Sequence, residues 1–196
     1  IVSKLLAANC RVIDLSADYR LSTPELYKKW YGEAHTDPGR LGSTPYGLPE
    51  LLADQIRDAN LIANPGCYPT SAILPLAPLI QHGLIGASGI VVDSKSGASG
   101  AGRTPKVGTL YCEINEGFSA YAVGTHRHQP EIIAIVGRFA GTDPQLVFTP
   151  HLVAMDRGTW STIYTRPPSG ATANPSPECS SQCYDDTPLP SVVIDL

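Results

Sequence analysis

The run Leu61-Ile62-Ala63-Asn64-Pro65-Gly66-Cys67-Tyr68-Pro69-Thr70 constrains the fold of this chain more than any other stretch. A short apolar segment leads into a Pro-Gly turn. The turn opens onto what reads as a helix, with Pro69 in its first turn, where proline is tolerated. Cys67 thus arrives at a helix N-terminus, where unpaired N–H groups and the positive end of the dipole favour the nucleophilic thiolate. The competing reading is a buried structural cysteine, since free cysteine is among the most buried residue types. The motif alone leaves both open. Pro75 and Pro78 follow in the same segment, and both are unfriendly to a helix interior. The helix is therefore expected to kink or end early.

A second polar, glycine-led loop runs into a helix start at Gly124-Thr125-His126-Arg127-His128-Gln129-Pro130-Glu131-Ile132. Pro130 suits a first turn, and Glu131 complements the dipole. Ile132, Ile133, Ile135 and Val136 then recur at helical spacing. His126 and His128 alone would pass for polar loop residues. Beside a candidate nucleophile they become a candidate base and its neighbour, since a neutral imidazole can take a proton from a thiol.

Composition narrows the partners. The chain has 196 residues and a net charge of −4, enough for one large or two small domains and with no basic footprint for nucleic acid. Its 5 cysteines are an odd number without a secretory apolar segment, which fits a reducing cytoplasm. Cys179-x-x-x-Cys183 lacks a second cysteine pair or a nearby histidine pair, so no zinc site is read there, and none from His126-x-His128. No apolar run is long enough to span a bilayer.

The elements read as follows. Arg11 to Leu15 is a buried strand after a short helical segment. Pro24 to Trp30 is a helix capped by Ser22 or Thr23. Pro49 to Arg57 is a short helix, and Gly89 to Asp93, Leu146 to Thr149 and Thr159 to Thr165 are strands. In the last, Trp160, Thr162 and Tyr164 share one face and Ser161, Ile163 and Thr165 the other. From Arg166 the chain turns Pro- and Ser-rich and reads as linker-like.

Asn64-Pro-Gly-Cys-Tyr-Pro-Thr70, the serine- and glycine-rich loop ending at Arg103, and His126-Arg-His-x-Pro-Glu-Ile132 together resemble the N-acetyl-gamma-glutamyl-phosphate reductase family, relatives of the aspartate-semialdehyde dehydrogenases. Asp14-Leu-Ser-Ala-Asp-Tyr-Arg-Leu21, Tyr46-Gly-Leu-Pro-Glu50, and Phe148-Thr-Pro-His-Leu152 through Met155-Asp-Arg-Gly158 match in the same order. The resemblance implies an α/β chain. Residues 1–66 would be the end of a Rossmann-type dinucleotide-binding domain. Residues 67–166 would form an α+β catalytic and dimerisation domain with a mostly antiparallel sheet, and 167–196 a tail. No G-x-G-x-x-G fingerprint precedes the first strand, so the chain is expected to be an internal fragment.

The resemblance further implies NADP as cofactor, N-acetyl-glutamyl phosphate as substrate, a cytoplasmic homo-oligomer (dimer or tetramer), and Cys67 and His126 as the catalytic pair. Ser94 to Arg103 contains G-x-x-G-x-G rather than the Rossmann spacing, and taken alone it is a flexible loop. Its N–H groups, with Arg103 and Lys106, could cradle an anion. By resemblance it lines the nicotinamide, with Ser96, Gly97 and Gly100 as cofactor residues. Arg103 and Arg127 suit the substrate's carboxylate and phosphate. Glu113, Asn115 and Glu116 read as solvated, and His35, His82 and His151 as incidental. In the implied reaction Cys67 forms a thioester, a hydride reduces it, and His126 first deprotonates the thiol and then manages the thiohemiacetal proton, with N–H groups around Cys67 holding the oxyanion. Two rivals stand beside this: a thiol hydrolase or acyltransferase with the same Cys-His pair and no nicotinamide, and an inactive truncated chain without the cofactor pyrophosphate site.

Overall fold

The computed structural model describes residues 1–168 and Tyr184. Most of the tail expected over 167–196, with Cys179 and Cys183, lies outside the described residues. The chain divides into two units, one from Ile1 to Gly66 and one beginning at Cys67.

In the first unit, β1 (Val12–Asp14) and β2 (Leu61–Ala63) pair in parallel, Val12 opposite Leu61 and Asp14 opposite Ala63. Val12, Tyr19, Leu61 and Ala63 form a small core under Val2 and Leu6 of α1 (Val2–Ala7). The expectation of a buried strand over Arg11 to Leu15 is corrected in part. Val12 is buried, but Ile13 is 61% and Leu15 73% exposed, while Ile62, the register partner of Ile13 in β2, is 5% exposed, so the uncovered part of this two-stranded sheet is its β1 side. Helix α2 (Pro24–Tyr31) starts at Thr23, whose side chain accepts the Leu26 N–H, and ends at left-handed Gly32. Both ends follow ordinary capping chemistry. Helix α3 (Pro49–Arg57) occupies the expected residues.

Two of the matched motifs hold the approach to Cys67. The Gly47 N–H donates to the Ala63 carbonyl at 2.8 Å, and the Asn64 N–H donates to that of Asp14 at 2.9 Å. A side chain on Gly47 would meet Ile62 Cγ2 at 2.8 Å, so only glycine lets the buried Tyr46-Gly-Leu48 segment lie this close to β2. Arg20 donates from Nε to the Asn64 carbonyl at 2.7 Å and from Nη2 to that of Leu15 at 3.1 Å. Asn64 therefore enters the Pro65-Gly66 turn with its peptide groups fixed.

The second unit opens with α4 (Cys67–Gln81), which runs through Pro75 and Pro78 without ending. This corrects the expected early end. Each proline removes one helix hydrogen bond at a cost of about 3 kcal/mol. Yet Tyr68, Ala72, Ile73, Leu76, Ala77, Leu79 and Ile80 are all buried, and burial of this kind supplies most helical stability in proteins.

The four-stranded sheet has the order β4-β5-β3-β6, with β3 (Ile90–Ser96), β4 (Phe118–Ala120), β5 (Leu146–Val153) and β6 (Thr159–Tyr164). β3 and β5 are parallel, and the two outer pairings are antiparallel. β3 extends past Asp93 and β5 past Thr149. Polar Ser94 tolerates the inner face because its hydroxyl bonds that of Ser161 at 2.6 Å, which in turn bonds Ser71 of α4 at 2.7 Å. Ile90, Val92, Leu146 and Phe148 share that inner face, together with buried Ile132, Ile135 and Val136 of α6 (His128–Ala140), which follows the one-turn helix α5 (Tyr111–Ile114). Trp160 and Tyr164 are exposed on the outer face, as the alternation along β6 predicts. Asp93 sits there too, 2.8 Å from Lys95 Nζ and 3.0 Å from His151 Nδ1.

Candidate active site

Cys67 is the first residue of α4 and is exposed, with an unpaired thiol. Tyr68, beside it, is 2% exposed and turns its ring into a set of aromatic side chains. Its ring lies 5.7 Å from His126, 5.8 Å from His128 and 5.3 Å from Phe148. Its hydroxyl lies 3.0 Å from the Tyr121 hydroxyl and 3.4 Å from the His151 carbonyl, to which it donates. Burial raises the Tyr68 pKa, partly offset by hydrogen bonding from Tyr121 and Ser96. Burial also raises that of Tyr121, helped by its bond to Tyr68, and a charge on Cys67 acts in the same direction on both phenols. The nucleophile candidate and both hydroxyls thus share one electrostatic environment.

His126 completes the group. Its ring lies 4.8 Å from His128, 5.4 Å from Phe148 and 5.6 Å from Tyr121. Nδ1 accepts the main-chain N–H of His128, the first residue of α6, at 3.1 Å. Burial and the adjacent Arg127 guanidinium lower its pKa to about 4. Such an imidazole is neutral at pH 7.

The structure brings Tyr68, Ser96, His126 and Phe148 together around the Cys67 end of α4. Sequence reasoning misses Tyr121, for which the one available signal is an aromatic residue five positions before His126 among small residues. Arg103 and Arg127 are both exposed, as are Glu113, Asn115 and Glu116. His151, read as incidental, pairs with Asp93 on the outer sheet face.

The glycine loop differs from a phosphate cradle. The N–H groups of Gly97, Ala98 and Ser99 donate to the carbonyls of Gly158, Met155 and Asp156, and that of Gly100 to Gly97. These four are spent on the protein, so an anion at this loop would rest on Arg103 and Lys106, both exposed. A Cβ on Gly97 would lie 2.8 Å from the Arg157 nitrogen and from the Met155 oxygen, and one on Gly100 2.6 Å from Ser96 Oγ. These two glycines permit close packing of the loop.

Residues 67–195 match the family model described as semialdehyde dehydrogenase, dimerisation domain. Residues 1–59 match that of the semialdehyde dehydrogenase NAD binding domain. The chain belongs to the semialdehyde dehydrogenase family. Within it, the chain is 62% identical over 166 residues to N-acetyl-gamma-glutamyl-phosphate reductase of Rhodopirellula baltica, a match covering 85% of this chain and 48% of that protein. It is 48% identical over 193 residues to the reductase of the same name in Magnetococcus marinus, covering 98% and 55%. The chain thus spans about half the length of the curated relatives it matches. In fold it is similar to aspartate semialdehyde dehydrogenase II of Vibrio cholerae, with a TM-score of 0.60 at 16% identity over 93% of this chain and 56% of that one. It is also similar to the Candida albicans aspartate semialdehyde dehydrogenase solved with NADP, with a TM-score of 0.58 at 14% identity, covering 92% and 50%. At these identities the likeness is one of fold. Among the described residues, no helix is long and apolar enough to cross a membrane.

Proposed function

We propose that this chain carries the reacting half of an N-acetyl-gamma-glutamyl-phosphate reductase, which converts N-acetyl-glutamyl phosphate to the corresponding semialdehyde in arginine biosynthesis. The observation that carries the reading is an exposed thiol at the start of α4 beside the bonded Tyr68–Tyr121 pair and His126, in a chain so similar to the named reductases. Cys67 attacks the acyl carbon, phosphate departs, and a thioester remains on the sulfur. NADPH, when bound, supplies the hydride that reduces this thioester. Arg103 and Arg127 bind the substrate's anionic groups as exposed guanidinium forks.

Cofactor fit divides by part. The glycine loop has spent its N–H groups, so it offers no pyrophosphate cradle. Its exposed Gly100, with Ser96 and Gly97 beneath it, would form the part of the site that holds the nicotinamide. The match of residues 1–59 to a NAD binding domain favours this reading over a nicotinamide-free thiol acyltransferase. The outer sheet face, with Phe118 63%, Val147 57%, Trp160 69% and Tyr164 58% exposed, packs on a second copy of the chain.

The test is mass spectrometry after exposure to N-acetyl-glutamyl phosphate without NADPH. An acyl adduct on Cys67, absent in Cys67→Ser, is expected. A folded chain that stays unmodified overturns the reading.

A further inference from the structure

Among the strand residues on the outer face of the sheet, His151 of β5 supplies the one imidazole. It stands opposite Lys95 of β3 and Ala120 of β4, with its ring 4.9 Å from that of Phe118. Nδ1 faces two groups that only accept, the Ser94 carbonyl at 3.3 Å and Asp93 Oδ1 at 3.0 Å. The neutral ring therefore carries its proton on Nδ1 and donates it to the carbonyl. Asp93 Oδ1 is buried and makes no hydrogen bond, while Oδ2 lies 2.8 Å from Lys95 Nζ. Lys95 also donates to the Asp93 carbonyl and to Thr162 of β6. Charge on this face thus comes from β3 alone, as Asp93 and Lys95. β4 offers Phe118 and Ala120 without charge, and β6 offers the Tyr164 phenol, which stands opposite Val91. With His151 neutral, the two charges cancel. With His151 protonated, one carboxylate must balance two cations.

We propose that His151 makes self-association through this face sensitive to acid, so that a second copy binds the neutral imidazole and is released when the ring is protonated. This rests on the reading above that the outer face packs on a second copy, and adds a control to it. The proton comes from water and adds to the Nε2 lone pair, and no other bond changes. In the separate chain the new N–H meets solvent. Under a second copy the water is excluded, and an uncompensated charge is costly to bury. A twofold interface presents the same charge from both copies. The associated state therefore binds fewer protons, and Kd rises as pH falls through the imidazole range, ordinarily centred near pH 6.5. The charge of the whole chain acts the other way. It is −4 at pH 7, and acid lessens the repulsion between two such copies. Weakening in acid is thus a signature of the face itself. His126, its pKa lowered to about 4 by burial and Arg127, stays neutral across this range.

Sedimentation velocity on the full chain, over a dilution series at pH 7.5 and pH 5.5, tests this, with circular dichroism confirming the fold at both. The parent Kd should rise by about tenfold or more at pH 5.5, since each copy contributes up to about tenfold per pH unit. His151→Gln keeps an N–H for the Ser94 carbonyl but takes up no proton, so its Kd should change less than about threefold. Lys95→Met leaves Asp93 to balance the imidazolium alone, and its pH dependence should reverse, with tighter association at pH 5.5. A parent that associates equally well or better at pH 5.5 overturns the proposal. So does a His151→Gln chain as acid-sensitive as the parent, or a Lys95→Met chain that still weakens in acid. A parent that is monomeric at both pH values overturns the second-copy reading itself, and the proposal with it.

Discussion

Adding a proton to His126 in the folded chain meets resistance from its surroundings. The ring is partly desolvated, the Arg127 guanidinium stands beside it, and its Nδ1 lone pair is already occupied by the His128 N–H. The pKa falls to about 4 from an ordinary 6.5. Since the unfolded chain takes up the proton first, His126 contributes its full share of stability above pH 6.5 and loses it progressively as pH falls toward 4. At about 1.4 kcal/mol per unit the whole shift would amount to about 3 kcal/mol, and residual solvent contact reduces the expected effect to about 1–2 kcal/mol. Tyr68 and Tyr121, with raised pKa values, stay protonated throughout this range. Urea unfolding at pH 7 and pH 4.5 should therefore show a smaller acid-induced loss in His126→Gln than in the parent. Equal losses in the two would mean that the folded ring titrates normally.

At the scale of elements, the glycine loop after β3 is built by contact with the β5–β6 connection rather than by freedom to move. Gly97 has no unusual dihedral, but a side chain there would strike the main chain of Met155 and Arg157. Gly97→Ala should cost about 1–3 kcal/mol, because backbone on both sides must shift. At Gly108 an added Cβ would meet nothing within 4 Å, so alanine there should be accepted within about 0.5 kcal/mol. Urea denaturation of the two variants checks the contrast, and a Gly97→Ala chain as stable as the parent would refute the packing account. This loop also marks the limit of reading from sequence. Its glycines are conspicuous, but their partners at 155–158 are distant in sequence, so spent N–H groups look like free ones. The strand, turn and helix around Cys67 are legible because local chemistry determines them. The passage of α4 through two prolines is not, since burial outweighs a local penalty. Nor is Tyr121, whose hydroxyl gains significance only by meeting Tyr68 across the fold.

For the molecule as a whole, the outer face of the sheet is the feature that an isolated chain leaves unexplained. Phe118, Val91, Val147, Trp160 and Tyr164 all point away from the helices and are exposed, on a unit matched to a dimerisation domain. Exposed apolar faces of this kind mark association sites. In their midst, Asp93 pairs through one carboxylate oxygen with Lys95 Nζ at 2.8 Å, while the other lies 3.0 Å from His151 Nδ1 and has no hydrogen bond. A second copy laid on this face would therefore bury an Asp93–Lys95 ion pair already formed within one chain, rather than two separate charges, which lowers the desolvation penalty. Trp160 is the largest apolar group on the face, and tryptophan dominates binding energy at interfaces. Trp160→Asp should weaken self-association by at least about 2 kcal/mol, or roughly thirtyfold in Kd. Sedimentation velocity across a micromolar dilution series should show the parent chain associated and the variant shifted to monomer, with circular dichroism unchanged. A parent chain that is monomeric throughout the series, or a variant that associates as tightly as the parent, would mean that a different surface holds the copies together.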